Sequence, residues 1–252
     1  MANNLNKFTP EELMANMEVF YNLIKTYIQE PRRSKLLEFY KKHEDELVLM
    51  PASHKTAFHS AFPGGYISHV NRVVQASLRI NSVWKEFGVD TSTYSIEELV
   101  FSAINHDLGK MGDGTNYNYT LSTDNWRIKN MGEIYEHNEA IGFMKVPDRS
   151  LFLLANAGIE VSENEWVAIQ THDGLYDEGN VAYLKAYSNA CRPRTSIPFI
   201  LHQGDMLAAR VEWESDNLEQ FKTQSTKITK PTPKKENKPK VNNDLLDMLN
   251  QL

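Results

Sequence analysis

The chain has 252 residues, 27 basic against 33 acidic side chains, eight histidines and one cysteine. The lone Cys191 excludes a disulfide framework and a cysteine-built zinc site, and it points to a reducing, cytoplasmic setting. The net charge of −6 argues against a globally basic nucleic-acid binder; no run approaches the ~18 apolar residues of a membrane span, and no apolar stretch precedes Pro10, so neither membrane insertion nor secretion is expected.

Taken in chain order, the body reads as helical nearly throughout. Thr9-Pro10-Glu11-Glu12 is a capping box with proline at the first helical position, opening a helix to about Gln29. A second follows Pro31 and fades near Leu49, and together these form a helical extension over 1–50. A third helix runs from about Tyr66 to Phe87 and stops at Gly88. Ser95 and Glu98 box a fourth that reaches His106-Asp107. A long polar loop then covers Gly109 to Gly132, with room for a strand pair in 111–130. Further helices are expected from about Glu133 to Met144, from Pro147 to Ala157 and from Glu163 to His172, the last boxed by Ser162 and Glu165. Two more cover Val181 to Ala190 and Ile197 to Ser215, closing an all-α domain over 51–215.

The charge is uneven. From Lys222 to Val241 seven lysines stand against one acid, so this stretch carries +6 and the remainder −12. With Pro231, Pro233 and Pro239 and almost no aliphatic residues, 216–243 reads as a disordered linker that cannot bury enough surface to offset its ordering entropy. Behind it Leu245, Leu246, Met248, Leu249 and Leu252 mark one face of a short helix over 244–252, either a frayed terminus or a docking segment for a protein partner.

The histidines carry the chemistry. His69 shares a helical stripe with Val73, Ala76, Ile80, Val83 and Phe87; His106 and Asp107 extend the stripe of Leu99, Val100, Ala103 and Ile104. His137 lies between Ile134 and Ile141, His172 follows Ala168 and Ile169, and Asp205 lies between Leu201 and Ala208. Five helices thus each place a metal-capable group on a face that should be buried, where it needs a partner. The intervals from His69 to His106, Asp107 to His137, His137 to His172 and His172 to Asp205 are 37, 30, 35 and 33 residues. Each is about one helix out and one back, so a bundle could collect all six groups at one end. The simplest common partner is a divalent cation. Six nitrogen and oxygen ligands suit one or two transition metals (manganese, iron, nickel, cobalt or zinc) better than magnesium alone.

The order His69, His106-Asp107, His137, His172, Asp205 resembles the HD-domain metal-dependent phosphohydrolase superfamily, over roughly residues 58–214. The segment His59-Ser60-Ala61-Phe62-Pro63-Gly64-Gly65-Tyr66-Ile67-Ser68-His69 further resembles the HD-domain 3′–5′ exoribonuclease group, where a histidine-containing segment and a glycine pair precede the first ligand. The resemblance implies an HD-type helical bundle that hydrolyses phosphoesters at a mono- or dinuclear centre. By that match His69, His106, Asp107 and Asp205 form the core metal site, and His137 and His172 complete a second one with Asp107 bridging. The chain departs from the group in having two helices where its members carry an N-terminal OB-type barrel, and His172-Asp173 where many dinuclear members carry a histidine pair.

On this reading Lys110 neutralises phosphoryl charge. Asp173 relays a proton, unless it merely forms a turn with Gly174. His59 lines the substrate entrance, and Arg192 and Arg194 grip phosphates. The expected substrate is a nucleotide or a nucleic-acid end. The alternatives are a small-nucleotide activity (nucleotidase or deoxynucleotide triphosphohydrolase) and, from another class, a non-catalytic module whose metal is structural and whose tail recruits a partner.

Overall fold

The computed structural model describes residues 7–185 and 188–225, with 218–225 as backbone only. It is mostly helical. Thr9 opens α1, Pro10–Tyr27: its hydroxyl accepts from the Glu12 N–H at 3.3 Å while the Glu12 carboxylate accepts from the Thr9 N–H at 2.8 Å. Two donors that a first turn leaves unpaired are thereby satisfied. Met17, Phe20 and Ile24 of α1 are buried at helical spacing. The segment expected as one helix after Pro31 is two, α2 (Arg32–Lys42) and α3 (Glu44–Leu49), with a break at His43.

The 22-residue α4, Gly65–Glu86, buries Tyr66, His69, Val70, Val73 and Ala76. The expected stripe leaves the core at its far end, where Val83 and Phe87 face solvent. Its neighbour α5, Ile96–Asn105, starts from the Ser95–Glu98 box and is buried from Leu99 to Asn105. It packs against α1 and α4, which makes it the middle of the molecule's core. Leu99, Phe101 and Ile104 are fully buried there, each worth roughly 1.5–3 kcal/mol of transfer free energy.

Residues 109–132 are not loop throughout. A strand β1, Tyr119–Leu121, is followed by a short helix α6, Asn125–Met131, which Asp124 caps by accepting from the N–H groups of Trp126 and Arg127. The helix expected from Glu133 to Met144 is not formed. Gly132 ends α6 in the left-handed region, at φ 65°, and the chain leaves it extended as β2, Tyr135–His137. This strand pairs antiparallel with β1 in the register Tyr119↔His137, Thr120↔Glu136, Leu121↔Tyr135. The Tyr135 N–H also reaches the His54 carbonyl at 3.1 Å. Sheet pairing here overrides a helical spacing that only Ile134, His137 and Ile141 supported.

Then come α7 (Val146–Asn156), α8 (Glu163–Thr171, from the Ser162–Glu165 box), a one-turn α9 (Val181–Leu184) and α10 (Ile197–Ser225). α8 packs on both α5 and α7. The described residues up to Asp216 belong to one compact unit, and those from Asn217 on to a second. Of the helices in the 1–50 extension, α1 packs on α4 and α5, α3 on α4, and α2 on α1 and α3. α10 continues past its expected end at Ser215, so the linker expected over 216–243 begins as helix. The rest of that linker and the helix expected over 244–252 lie outside the described residues. No helix among the described residues is long and apolar enough to cross a membrane.

Candidate metal centre

Two helices end in the same way. The last carbonyls of a helix have no intrahelical donor, and at the end of α5 the His106 Nδ1–H donates back to the Ala103 carbonyl at 2.8 Å. At the end of α8 the His172 Nδ1–H donates to the Ile169 carbonyl, also at 2.8 Å. A carbonyl can only accept, so each bond assigns a proton to Nδ1 and leaves Nε2, aimed beyond the helix end, to a second proton or an ion. His69, on the first turns of α4, is held likewise by a carboxylate: its Nδ1 lies 3.1 Å from Glu212 of α10. Three imidazoles therefore present Nε2 inward.

Asp107 and Asp205 meet them. His69 Nε2 lies 3.1 Å from Asp205 Oδ1 and 3.8 Å from Asp107 Oδ2. His106 Nε2 lies 3.4 Å from Asp107 Oδ2 and 3.9 Å from Asp205 Oδ1. On the other oxygen of Asp107, His172 Nε2 stands at 3.5 Å. The ligand-capable atoms group as His69–His106–Asp205, His106–Asp107–His172 and His172–Asp173–Asp205, each set within 4.8 Å. His106 Nε2 is buried with no hydrogen-bond partner, and His69 Nε2, equally buried, has only the Asp205 and Asp107 carboxylates in reach. An unpaired buried nitrogen costs about 1–3 kcal/mol, and His106 together with His69 between two carboxylates forms a donor set that suits a first-row divalent cation. The residues present fit such an ion.

The electrostatics agree. Burial alone would raise the Asp107 carboxyl, but Lys110, His106 and His172 outweigh it and hold the group well below the usual range. Burial also opposes ionised Asp205 and Glu212; His69, among other imidazoles, keeps both ionised far into acid. Conversely, burial disfavours charge on His69 and His172, yet the carboxylates around them raise the two to about 10 and about 9. The pocket is a strong trap for positive charge, filled by protons when nothing else is there.

Lys110 closes one side. It lies on the single 3-10 turn Leu108–Met111, and its ammonium touches Asp107 Oδ2 at 2.5 Å. The turn is pinned by Ser150 of α7, which accepts from the Gly109 N–H at 2.7 Å and donates to a carbonyl of α7 or of His106. Gly109 is needed for this approach, since a Cβ there would stand 2.2 Å from the Val146 carbonyl oxygen.

The other expected residues divide. His59 joins the site: its Nδ1 bonds Glu212 at 2.8 Å and its ring packs 4.4 Å from that of His69. Asp173 stands at the mouth, 47% exposed, with Oδ1 3.7 Å from His172 Nε2. His137 does not join. It is exposed on β2, with its ring 5.2 Å from those of His54 and Tyr119, because the segment that should have carried it inward is a strand. Arg192 and Arg194 do not join either. They are exposed before α10 and line a different depression, with Asn164 and Pro198. Asp205 is eight residues into that helix, about 12 Å further along its axis.

Two contributors escaped the sequence reading. Glu212 is buried and accepts from the Ser60 hydroxyl at 3.0 Å, pairs with Arg72 at 3.1 Å, and holds His59 and His69. Its signal was present as the ladder Leu201, Asp205, Ala208, Glu212. His202 donates through Nδ1 to the His172 carbonyl at 2.8 Å and lines the cavity over the site. That cavity holds about 490 Å³ and is walled by Phe58, His59, Lys110, Tyr176, Met206 and Trp213 besides Asp107, His172, Asp173 and Asp205. Comparison with protein-family models, curated proteins and solved structures finds no match to this chain.

Proposed function

We propose that this protein is a metal-dependent phosphohydrolase of the HD type, acting on a nucleotide or other small nucleic-acid-derived phosphoester. The observation that carries the reading is the meeting of two buried imidazole nitrogens, of His69 and His106, with Asp107 and Asp205, two carboxylates lining the cavity above them. A structural metal site is closed by protein ligands, whereas a catalytic one stays accessible on one side. A divalent ion bound there supplies Lewis-acid polarisation of phosphoryl oxygen and a water of lowered pKa.

The chain's own groups do the rest. His69, His106, Asp107 and Asp205 hold the ion, and His172 with Asp173 offers a second set of donors beside Asp107. Lys110, fixed against Asp107, presents a permanent positive charge at the cavity wall and offsets negative charge as it builds on phosphorus. Asp173, exposed at the mouth, is placed to exchange protons with solvent. The cavity volume of about 490 Å³ falls within the range of small-ligand sites, which favours a nucleotide-sized substrate over a polymer.

The test is a hydrolysis panel of nucleoside mono-, di- and triphosphates, oligonucleotides and simple phosphoesters. Protein stripped with chelator is reloaded in turn with manganese, iron, nickel, cobalt, zinc and magnesium. Turnover that appears with metal and falls at least a hundredfold in Asp107→Asn supports the reading. No turnover with any metal, or an Asp107→Asn variant as active as the parent, refutes it.

A further inference from the structure

A second hollow of about 940 Å³ adjoins the first, and Asp173 and Tyr176 line both. It runs between the 138–147 segment and the turn at 174–179. Its apolar surface includes two aromatic rings that the fold leaves in water: Phe143 is 96% exposed and Tyr176 85%. Large apolar groups clustered at the rim of a polar site mark a place where something docks.

The charges in this groove say what kind of group that is. Both of its full cations are committed. The Lys145 ammonium bonds both oxygens of Asp177 at 2.7 and 3.0 Å. The Arg149 guanidinium, buried, is spent on Asn118 Oδ1 and the Gly142 carbonyl, each at 2.7 Å. The remaining charged groups lining it are acids: Glu139, Asp173 and Glu178. A chain of further phosphates would meet unshielded carboxylates here, while a neutral ring carrying amino groups would find acceptors and two stacking faces.

Resting on the hydrolase reading above, we propose that this groove binds the nucleoside of the substrate, with Phe143 and Tyr176 stacking on its base. The substrate class is then a nucleoside monophosphate or its ester, with one phosphoryl group at the Asp107 end and no polyphosphate extending into the groove. Asp173 and Tyr176, shared by the two cavities, mark where phosphate gives way to sugar. His137, absent from the cation cluster, lines the same groove and becomes a substrate contact.

The experiment is equilibrium binding of nucleoside monophosphates, the matching triphosphates and glycerol phosphate to the metal-loaded full chain, in parallel with hydrolysis. Base stacking on an aromatic side chain is worth 1–3 kcal/mol, or about 5- to 150-fold. Phe143→Ala and Tyr176→Ala are each expected to weaken nucleoside monophosphate binding at least fivefold, and to lower the preference for it over glycerol phosphate by the same factor. Phe87→Ala, an equally exposed aromatic outside the groove, is expected to change neither. The proposal is overturned if the parent binds triphosphate more tightly than monophosphate, or if Phe143→Ala and Tyr176→Ala bind like the parent. Failure is separable from that of the hydrolase reading. Hydrolysis of glycerol phosphate without nucleoside selectivity sinks the groove alone, and Phe143-dependent nucleotide binding without hydrolysis of any ester sinks the hydrolase alone.

Discussion

Proton release should accompany metal binding, and its size follows from the carboxylates around His69. In the metal-free protein Glu212 and Asp205 raise this imidazole to about 10, so at pH 7 it is protonated. An ion taking Nε2 must displace that proton. The gap of about three pH units makes binding at pH 7 roughly a thousandfold weaker than to the deprotonated site, about 4 kcal/mol. Log K should therefore rise by about one per pH unit between pH 6.5 and 8.5 for the first ion. A second ion that engages His172, raised to about 9, should add a similar slope below that value. The sign for stability is the reverse. A folded pKa above the ordinary ~6.5 stabilises the metal-free fold fully below that value. That contribution is lost as pH rises through about 9 and about 10, so the apo protein should weaken from pH 7 to 10 while the loaded protein does not. Competition against a chromophoric chelator at three pH values, with calorimetry in two buffers of different ionisation heat, measures both slope and proton count. A pH-independent affinity with no proton released would refute the assignment of His69 as a ligand.

Other consequences are direct. Glu212→Gln should weaken the metal affinity extrapolated to deprotonated His69 about 10- to 100-fold, because the carboxylate that orients the ring through Nδ1 is lost, while easing proton competition at pH 7; chelator competition across a pH series reads both, and an unchanged extrapolated affinity would show that Glu212 is only packing. Arg32→Ala should destabilise the fold by about 3–5 kcal/mol in chemical denaturation. Arg32 bonds both oxygens of the fully buried Glu165, at 2.7 and 2.8 Å, and its loss leaves that carboxylate uncompensated. Gly109→Ala should impair metal binding as well as stability, since its Cβ would collide with the Val146 carbonyl and displace the turn that carries Asp107 and Lys110; a variant with parental melting temperature and metal affinity would contradict this.

Much of the site was legible because helical periodicity constrains burial. His69, His106, Asp107, His172 and Asp205 each continued an apolar stripe of regular spacing, and those stripes are the faces that α4, α5, α8 and α10 bury. The boxes at Thr9, Ser95 and Ser162 were equally plain, since capping is a local interaction three residues long. His137 misled for the complementary reason. Its stripe rested on Ile134 and Ile141 alone, and hydrogen bonds to β1 and to His54, set by tertiary contact, decided the conformation. Glu212 lies inside the helix expected to Ser215, and it was lost because its ladder was followed no further than Ala208. Its meeting with His69, 143 residues away, is not written in any local pattern. The placement of Arg192 and Arg194 away from the cluster was not legible, because loop positions carry no periodicity from which a direction can be read.

The most direct measurement is anomalous diffraction at the absorption edge of a transition metal from crystals grown with that metal. The account predicts a peak within bonding distance, about 2.0–2.2 Å, of His69 Nε2, His106 Nε2 and a carboxylate oxygen each from Asp107 and Asp205. A peak elsewhere, or none at that point in metal-saturated crystals, would contradict it.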